Sequence, residues 1–291
     1  MAWGPQLVDE AGPASRRDAS RDDLVGFRNP PVVEVVAAVR FDDLPPTEAL
    51  ALAEFWRARL ADTFPNFAVQ PPYSAPVEQF DQRFGIPDFS LDLSSIPPPV
   101  RMWLSNATGD ELVQLQPNWM ACNWRKVSPD ATYGRWQARR RQFEQIFGDL
   151  HGWLRLRGTP LSANQCEVTY INHIRPEAGL WNSHSEAHRI FVGIGEITPA
   201  AGVRVEQTES TSQFIFDAVD GGIGRLHIKV QPAFDQKDGS PIFVTELTAR
   251  GAPPEPSLAG VLAFLDAARG AVVTMFSATT TVEAQARWGR E

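Results

Sequence analysis

The sequence predicts an α+β protein in which one broad antiparallel sheet carries long helices on one of its faces. Strand-like segments with turn signals run through both halves of the chain, and each half ends in one long amphipathic helix. The order of these elements also repeats between the halves. With 291 residues, 43% of them hydrophobic, the chain is long enough to bury a sizeable core.

The first half begins with a strand at residues 32–41, where apolar side chains alternate and also fill much of the second face. Thr47 is the predicted cap of a helix over residues 48–64. Repeated prolines in residues 65–99 restrict any strands there to short or edge strands, because proline cannot donate to a ladder. A hairpin of residues 100–107 and 111–126 follows.

A long helix is predicted at residues 133–157, and it separates the two halves. The second half opens with an unusual strand at residues 164–176 that carries polar groups on both faces. By strand alternation, Tyr170 and Asn172 lie on one face, and Glu167 and His173 lie on the other. This strand is therefore the first place to look for a site.

The remaining elements are a short helix and a meander of four strands before the last long helix. The helix is predicted at residues 181–192 and the strands at residues 203–209, 213–218, 225–231 and 242–248. Ser257 is the expected cap of the final long helix, and Thr280 with Glu283 is the expected capping box of a terminal turn.

Short sequence matches support an internal duplication of a unit made of a strand, a helix, antiparallel strands and a long helix. Residues 33–35 match residues 166–168 around Glu34 and Glu167, and residues 115–117 match residues 230–232. The predicted organisation is a disordered tail at 1–29, a first repeat at 30–160 and a second at 161–291, packed as one pseudo-symmetric unit. The expected shape is TATA-binding-protein-like or helix-grip-like.

Composition excludes several classes of function. A net charge of −8 disfavours a protein that grips nucleic acid nonspecifically, which requires a positive field. Two cysteines, Cys122 and Cys166, are too few for a disulfide framework and are expected as buried free thiols. No run approaches a membrane span, and the N-terminal residues lack a signal-like apolar core, so a soluble cytoplasmic protein is expected.

Several neutral or cationic hydrogen-bonding side chains form the candidate binding set for a partner protein or a small polar ligand. They are Tyr170, Asn172, His173, Gln114, Gln116, Asn123 and Arg125. The alternative is that they form a structural network that joins the sheet to a helix. No nucleotide-binding loop, nucleophile elbow or Cys-x-x-Cys pair is present, so no cofactor is expected.

Two acidic residues at equivalent repeat positions, Glu34 and Glu167, suggest a different function. Carboxylates can act as acids or bases, and an enzymatic alternative uses Glu167 as acid/base with Tyr170 as an orienting group. The structural alternative, which we favour, is that each carboxylate pairs with a nearby arginine. His184 and His188 have a spacing that metals can use on a helix, but no third ligand is evident, so no metal is expected.

Arginines crowd the first turns of the helix at residues 133–157, which is the unfavourable end of a helix dipole for cations. The four residues are Arg135, Arg139, Arg140 and Arg141. Either acidic neighbours compensate for their charge, or they contact phosphate groups of a partner. Because the whole chain is acidic, a solvated helix face is favoured and nucleic acid is not the expected partner.

Several segments together resemble a known family. They are the Pro-Pro-Val-Val-Glu-Val stretch at 30–35, Gln-Leu-Gln at 114–116, Asn-Trp-Arg at 123–125, Glu-Val-Thr-Tyr-Ile-Asn at 167–172 and the C-terminal segment around residues 265–268 with Phe276 and Trp288. The chain looks like a member of a sporadically distributed, conserved-hypothetical bacterial family of about this length, without an established activity. The resemblance implies an accessory component of a mobile or defence-type locus. Ala268 and Arg269 stand where that family usually has a histidine.

From these observations we expect a non-catalytic binding or interaction protein whose sheet face or groove takes up a partner near the two equivalent strands. The alternative is a small-molecule enzyme with a helix-grip-like cavity. A concave pocket lined by both Glu167 and Tyr170 would favour the enzyme, whereas a groove without a convergent acid/base pair would favour binding.

Overall fold

The computed structural model describes residues 24–80, 100–128, 131 and 133–291, and within these ranges it shows one nine-stranded antiparallel sheet with a few helices. The strands are β1 Val32–Phe41, β2 Asn66–Gln70, β3 Arg101–Ser105, β4 Glu111–Gln116, β5 Trp119–Arg125, β6 Ala163–Ile174, β7 Ser210–Asp217, β8 Ile223–Phe234 and β9 Pro241–Gly251. The predicted α+β class is confirmed.

The order of strands across the sheet places β1 and β6 at its centre. Beyond β1 lie β5, β4, β3 and β2, and beyond β6 lie β9, β8 and β7. Each half of the chain therefore forms one side of the sheet, and the two sides join through the antiparallel pairing of β1 with β6. This order fits the predicted duplication, which itself stays a prediction.

Four α-helices accompany the sheet in the described part of the chain: α1 Pro46–Phe55, α2 Arg135–Leu156, α3 Leu258–Thr279 and α4 Val282–Arg287. A π-helical turn, Trp56–Leu60, continues α1, and a short 3₁₀ helix covers His184–Arg189. Contacts of α2 with β1 and β5, and of α3 with β6, β8 and β9, place both long helices against the sheet.

The core lies between these helices and one face of the sheet. Val35 and Val39 of β1 and Val168 of β6 are buried there, against helix residues such as Phe143 and Leu265. Full burial of one such side chain contributes about 1.5–3 kcal/mol. Alternate residues of the same strands point to the opposite face, called the helix-free face below, where polar side chains predominate.

Of the three predicted helix caps, Thr47, Ser257 and Thr280, the structure confirms one. Ser257 caps α3, accepting a hydrogen bond from the Gly260 amide at 3.2 Å, as predicted. The cap of α4 is Thr281, so the predicted capping box that starts at Thr280 is wrong by one residue. The predicted Thr47 cap is also wrong, because α1 begins at Pro46 without a side-chain cap; proline fits the first turn, where its missing amide costs nothing.

Two predicted strands differ from the structure. Residues 203–209 form no strand, and the meander starts at β7 instead. The long strand predicted at 111–126 is two strands, β4 and β5, that reverse direction at Pro117 and Asn118. Proline lacks the amide that a continuous ladder would need, which makes this a natural turning point. The five-residue β2 lies at the edge of the sheet, which agrees with the prediction that any strand in residues 65–99 is short or at an edge.

The chain segment before β1 contacts the C-terminal residues, although its residues 24–29 were assigned to the disordered tail. The Arg28 amide donates to Gly289 O at 3.0 Å, and the Glu291 amide donates to Gly26 O at 2.9 Å. Phe27 packs on Phe276 and Trp288. We call residues 24–30 with residues 288–291 the terminal cover. The rest of the predicted tail, residues 1–23, lies outside the described residues.

Among the described helices, α3 is the one that is long and apolar enough to cross a membrane by length and composition. This is weak evidence for a span, because the core helices of soluble proteins have the same composition. Here α3 packs on β6, β8 and β9 and buries Val261, Leu265 and Val272. The two cysteines are free and buried, as predicted, and burial raises the pKa of the Cys122 thiol to about 12.

Candidate functional site

The predicted site residues are divided between the two faces of the sheet. Tyr170 and Asn172 of β6 lie on the helix-covered face, where both line a cavity. The strand period of two places the other members of the set on the helix-free face: Gln114, Gln116, Asn123, Arg125, Glu167 and His173. There are therefore two separate candidate regions, and each one holds only part of the predicted set.

The cavity has a volume of about 700 Å³ and lies between the sheet, α2, α3 and the terminal cover. Its size falls within the range of about 300–1,000 Å³ that is typical of small-molecule sites. Aromatic side chains supply much of the wall: Phe27, Trp124, Tyr133, Trp136, Tyr170 and Phe276. Such a lining suits a ligand with an apolar or aromatic body.

Two tyrosines and an arginine form a hydrogen-bonded group in the wall. The hydroxyls of Tyr133 and Tyr170 are 2.8 Å apart, and Arg269 of α3 donates to Tyr170. Burial is the largest influence on both phenols and raises the pKa of each. Both hydroxyls therefore stay protonated at neutral pH and can donate hydrogen bonds.

The lining of the cavity is cationic. Among the described residues that line it, none is acidic and four are basic: Arg28, Lys126, Arg135 and Arg269. Three of them are exposed and lie at the rim, and Arg269 is half-buried. Glu291 lies 4.0 Å from Arg135, outside the lining. The electrostatic balance of the lining therefore favours an anionic group.

Two buried donors in this lining have no acceptor among the described residues. They are the indole N–H of Trp124 and the Nε–H of Arg269. A buried N–H without a partner costs about 1–3 kcal/mol, so each such group calls for an explanation. Both atoms have almost no accessible surface, so a ligand in the cavity reaches them only if a side chain moves.

Arg135 combines a position at the rim with an unusual backbone. It starts α2 with φ of 61°, in the left-handed region that non-glycine residues seldom adopt. This conformation costs about 1–2 kcal/mol, which the surrounding contacts must offset. Strain of this kind is common at ligand sites, where it holds a side chain in place.

On the helix-free face, part of the predicted set forms a relay of hydrogen bonds across four strands. Arg101 donates to Gln114 at 3.1 Å, and Gln114 donates to Asn123 at 2.9 Å. Asn123 in turn donates to Glu34 at 2.6 Å. Burial is the largest influence on Glu34 and raises its pKa, although Asn123 and Arg125 act in the opposite direction.

Glu167 belongs to a separate ionic cluster on the same face. Arg250 of β9 lies between two carboxylates, 2.6 Å from Glu167 and 3.1 Å from Glu78. Glu78 also contacts Arg225 at 2.6 Å and His227 at 2.5 Å. Desolvation raises the pKa of Glu78, but the hydrogen bond with His227 and the charges of Arg250 and Arg225 outweigh it, and the net pKa is lowered.

The structure does not bring together the residues of the enzymatic alternative. Tyr170 lies in the cavity wall, whereas Glu167 lies on the opposite face in its ion pair with Arg250. His173 shares the helix-free face, and burial lowers its pKa.

The predicted histidine pair is not arranged as a metal site. His184 is buried against Phe234 and Phe243, with Nε2 3.0 Å from Ile242 O, at the start of the short 3₁₀ helix. Within the described part of the chain, no group of three or more His, Cys, Asp or Glu side chains could hold a metal ion.

The arginine cluster at the start of α2 faces acidic residues. Arg139 contacts Glu111 at 2.5 Å, and Arg140 contacts Asp266 and Glu144, each at 2.9 Å. These pairs compensate the charge that the helix dipole disfavours. A nucleic-acid interface would need these arginines to face solvent together, so this geometry gives it no support.

Several residues in both regions were not predicted as site residues from the sequence. In the cavity they are Trp124, Tyr133 and Arg269, and on the helix-free face they are Glu78 and Arg250. The sequence holds a hint for Arg269, a cation directly beside the apolar stripe of α3. Glu78 lies in the proline-rich segment, where no local pattern marks it.

No protein-family model matches this chain, and neither a curated protein nor a solved structure matches it. The resemblance to a conserved-hypothetical bacterial family therefore stays a prediction. The cavity and the helix-free face themselves are the basis for the functional inference.

Proposed function

We propose that this protein is a non-catalytic binding protein that takes up a small organic anion with an aromatic or apolar body in the cavity. The observation that carries this proposal is the charge of the lining, which includes four basic and no acidic side chains among the described residues. An anion entering there replaces its water contacts with charge-assisted hydrogen bonds, which are stronger than neutral ones.

Arg269 is the proposed anchor of the anionic group. Among the described lining residues it is the half-buried cation, and its guanidinium donates to Tyr170, which holds the side chain in the cavity wall. Arg28, Lys126 and Arg135 at the rim raise the local concentration of anions and speed their entry.

We propose binding without catalysis because of the side chains that line the cavity. No carboxylate, cysteine or histidine is among its described lining residues, and its tyrosines stay protonated at neutral pH. A general base with a pKa near neutrality is therefore not supplied by these side chains. A cavity that offers hydrogen-bond donors to an anion, but no general base, is better suited to binding a ligand than to catalysing a reaction.

A matched pair of fluorescent probes tests the proposal. 8-Anilinonaphthalene-1-sulfonate carries an anionic sulfonate, and N-phenyl-1-naphthylamine has the same aromatic body without the charge. We expect the protein to bind the sulfonate more tightly than the neutral probe. Arg269→Met should weaken sulfonate binding by about 10- to 100-fold, the equivalent of one charged hydrogen bond, and leave the neutral probe nearly unaffected.

The control variant is Arg141→Met, which removes an exposed arginine of α2 outside the cavity lining. It should bind both probes like the unaltered protein. Near-UV circular dichroism must show native packing in each variant, because partly unfolded proteins also bind such probes. Equal affinity for the two probes, or a sulfonate affinity that Arg269→Met does not change, would contradict the proposal.

We also propose that the two halves of the sheet derive from one duplicated unit, and the pairing registers support this. Glu34 lies opposite Arg125, and the matching Glu167 lies opposite Arg250. The residues before these arginines, Trp124 and Ala249, are therefore also equivalent. On the next strand outward, Trp124 pairs with Glu111 and Ala249 pairs with Leu226, which makes Glu111 equivalent to Leu226. Gln116 and Gln231 then coincide, as in the sequence match. An experimental structure with a different register on either side would remove this support.

A further inference from the structure

A proline-rich segment lies across the helix-free face of the sheet. We call residues 71–80 the strap; they have no regular secondary structure and include Pro71, Pro72 and Pro76. Contacts with Gln116 of β4, Gln165 of β6 and Arg225 of β8 show that the strap crosses most of the width of the sheet. It therefore resembles an extended ligand more than a part of the sheet.

Two glutamines hold the main chain of the strap. The side-chain amide of Gln116 accepts from the Tyr73 amide at 3.0 Å and donates to Tyr73 O at 2.8 Å. Gln165 accepts from the Glu78 amide at 2.8 Å and donates to Pro76 O at 2.8 Å. Because these four bonds involve backbone groups, they would hold an extended peptide of many sequences in the same way.

One side chain of the strap is recognised by charge. The side chain of Glu78 is only 6% exposed and contacts Arg225, His227 and Arg250. Arg225 also lies over the ring of Phe80, with its guanidinium carbon 4.8 Å from the ring centroid. This end of the face therefore holds an acidic side chain and, two positions after it, an aromatic ring.

The apolar contact of the strap with the sheet is small. Tyr73 packs on Trp119 with ring centroids 5.0 Å apart, and Ala75 packs near Ala38 and Ala121. Most other strap residues are exposed. Since apolar burial contributes about 25 cal/mol per Å², the apolar contribution to holding the strap on the sheet is small, and polar contacts hold most of it.

We propose that the helix-free face is a recognition site for an extended acidic segment of a partner protein, and that the strap occupies this site in cis. The partner segment carries an aromatic residue five positions before a glutamate or aspartate, as Tyr73 precedes Glu78. The glutamines bind its main chain, and the cluster of Arg225, His227 and Arg250 binds its carboxylate. A partner binds by displacing the strap.

The test uses the full-length chain and a fluorescein-labelled peptide with the sequence of residues 70–80. In the intact protein the tethered strap competes at a millimolar effective concentration, so the peptide should bind weakly. The variant Tyr73→Ala/Glu78→Gln weakens the strap and should bind the peptide at least tenfold more tightly by fluorescence anisotropy. Replacing the peptide's glutamate with glutamine should then cost about 10- to 100-fold in affinity.

The matched control adds Arg225→Met to the weakened-strap variant, and it should remove most of the preference for the glutamate peptide. If the double variant fails to fold, Glu78→Gln alone replaces it. If both variants lose native circular dichroism, the strap is a structural part of the core and the proposal is wrong. Folded variants that bind no more peptide than the intact protein, or both peptides equally, would also refute it.

This site and the cavity are on opposite faces of the sheet, so their tests are independent. The naphthalene probes report on Arg269 and its neighbours, whereas the peptide reports on the cluster around Glu78. Failure of either test leaves the other proposal unaffected.

Discussion

Replacing Arg250 with methionine should destabilise the fold markedly, because it leaves the Glu167 carboxylate on the helix-free face without its cationic partner. Arg250 is 8% exposed and contacts both Glu167 and Glu78. Without it, Glu78 keeps Arg225 and His227, but Glu167 keeps only the Thr169 hydroxyl at 3.2 Å among the described residues. Removing one partner of a buried ion pair costs about 3–5 kcal/mol.

Because the side chain of Glu167 retains 12% exposure, we expect the lower end of this range, about 3 kcal/mol. In a protein of this size that loss lowers the melting temperature by about 6–12 °C. Urea unfolding followed by circular dichroism measures it directly. The double variant Arg250→Met/Glu167→Gln should recover at least half of the loss, because the stranded charge is gone.

Arg125→Met is the matched control, since Arg125 has the corresponding position on β5 but donates to Gly109 O instead of a carboxylate. It should cost about 1 kcal/mol, the value of an ordinary hydrogen bond. Two results would refute the reasoning: a cost for Arg250→Met as small as that of the control, or losses from Arg250→Met and Glu167→Gln that simply add.

Two further predictions concern Glu34 and Arg135. Burial raises the pKa of Glu34 in the folded state above its ordinary value of 4.5. The protonated Glu34 side chain therefore stabilises the fold below pH 4.5, and this stabilisation is lost as pH rises through the folded-state pKa. Glu34→Gln should therefore gain stability over the unaltered protein as pH rises from 4 to 8 in urea unfolding; a constant difference would contradict the burial argument. Arg135→Gly relieves the left-handed backbone, so we expect an equal or higher melting temperature together with weaker binding of the anilinonaphthalene sulfonate. A clear loss of stability would mean that the Arg135 side chain supports the helix.

Local patterns allowed a close prediction of some elements and of the face on which each residue lies. The period-two run of β1 identified residues 32–41, and Ser257 marked the start of α3. The same alternation separated Tyr170 and Asn172 from Glu167 correctly, because it depends only on the strand geometry of β6. Whether either face held a cavity depends on helix packing, which alternation does not encode.

The parts that the sequence did not reveal depend on contacts between distant segments. Glu78 meets Arg225 and Arg250, which lie far along the chain, and its proline-rich surroundings predict only that no long strand forms there. The buried Nε–H of Arg269 becomes unusual only when α3 is placed over the sheet. Turn positions such as Pro117 and Asn118 were missed because the polar alternation continued through them.

The central position of β1 and β6 has a consequence for how the chain folds. The outer strands β3 to β5 and β7 to β9 form meanders of neighbours in sequence, whereas β1 and β6 are separated by four strands and two helices. Contacts between distant segments form slowly because the loop-closure entropy must be overcome first. We expect the meanders to form early and the central seam to close last. Until it closes, two long apolar strand edges are open to pairing with other chains, so chaperone dependence and aggregation during synthesis should be set by this seam.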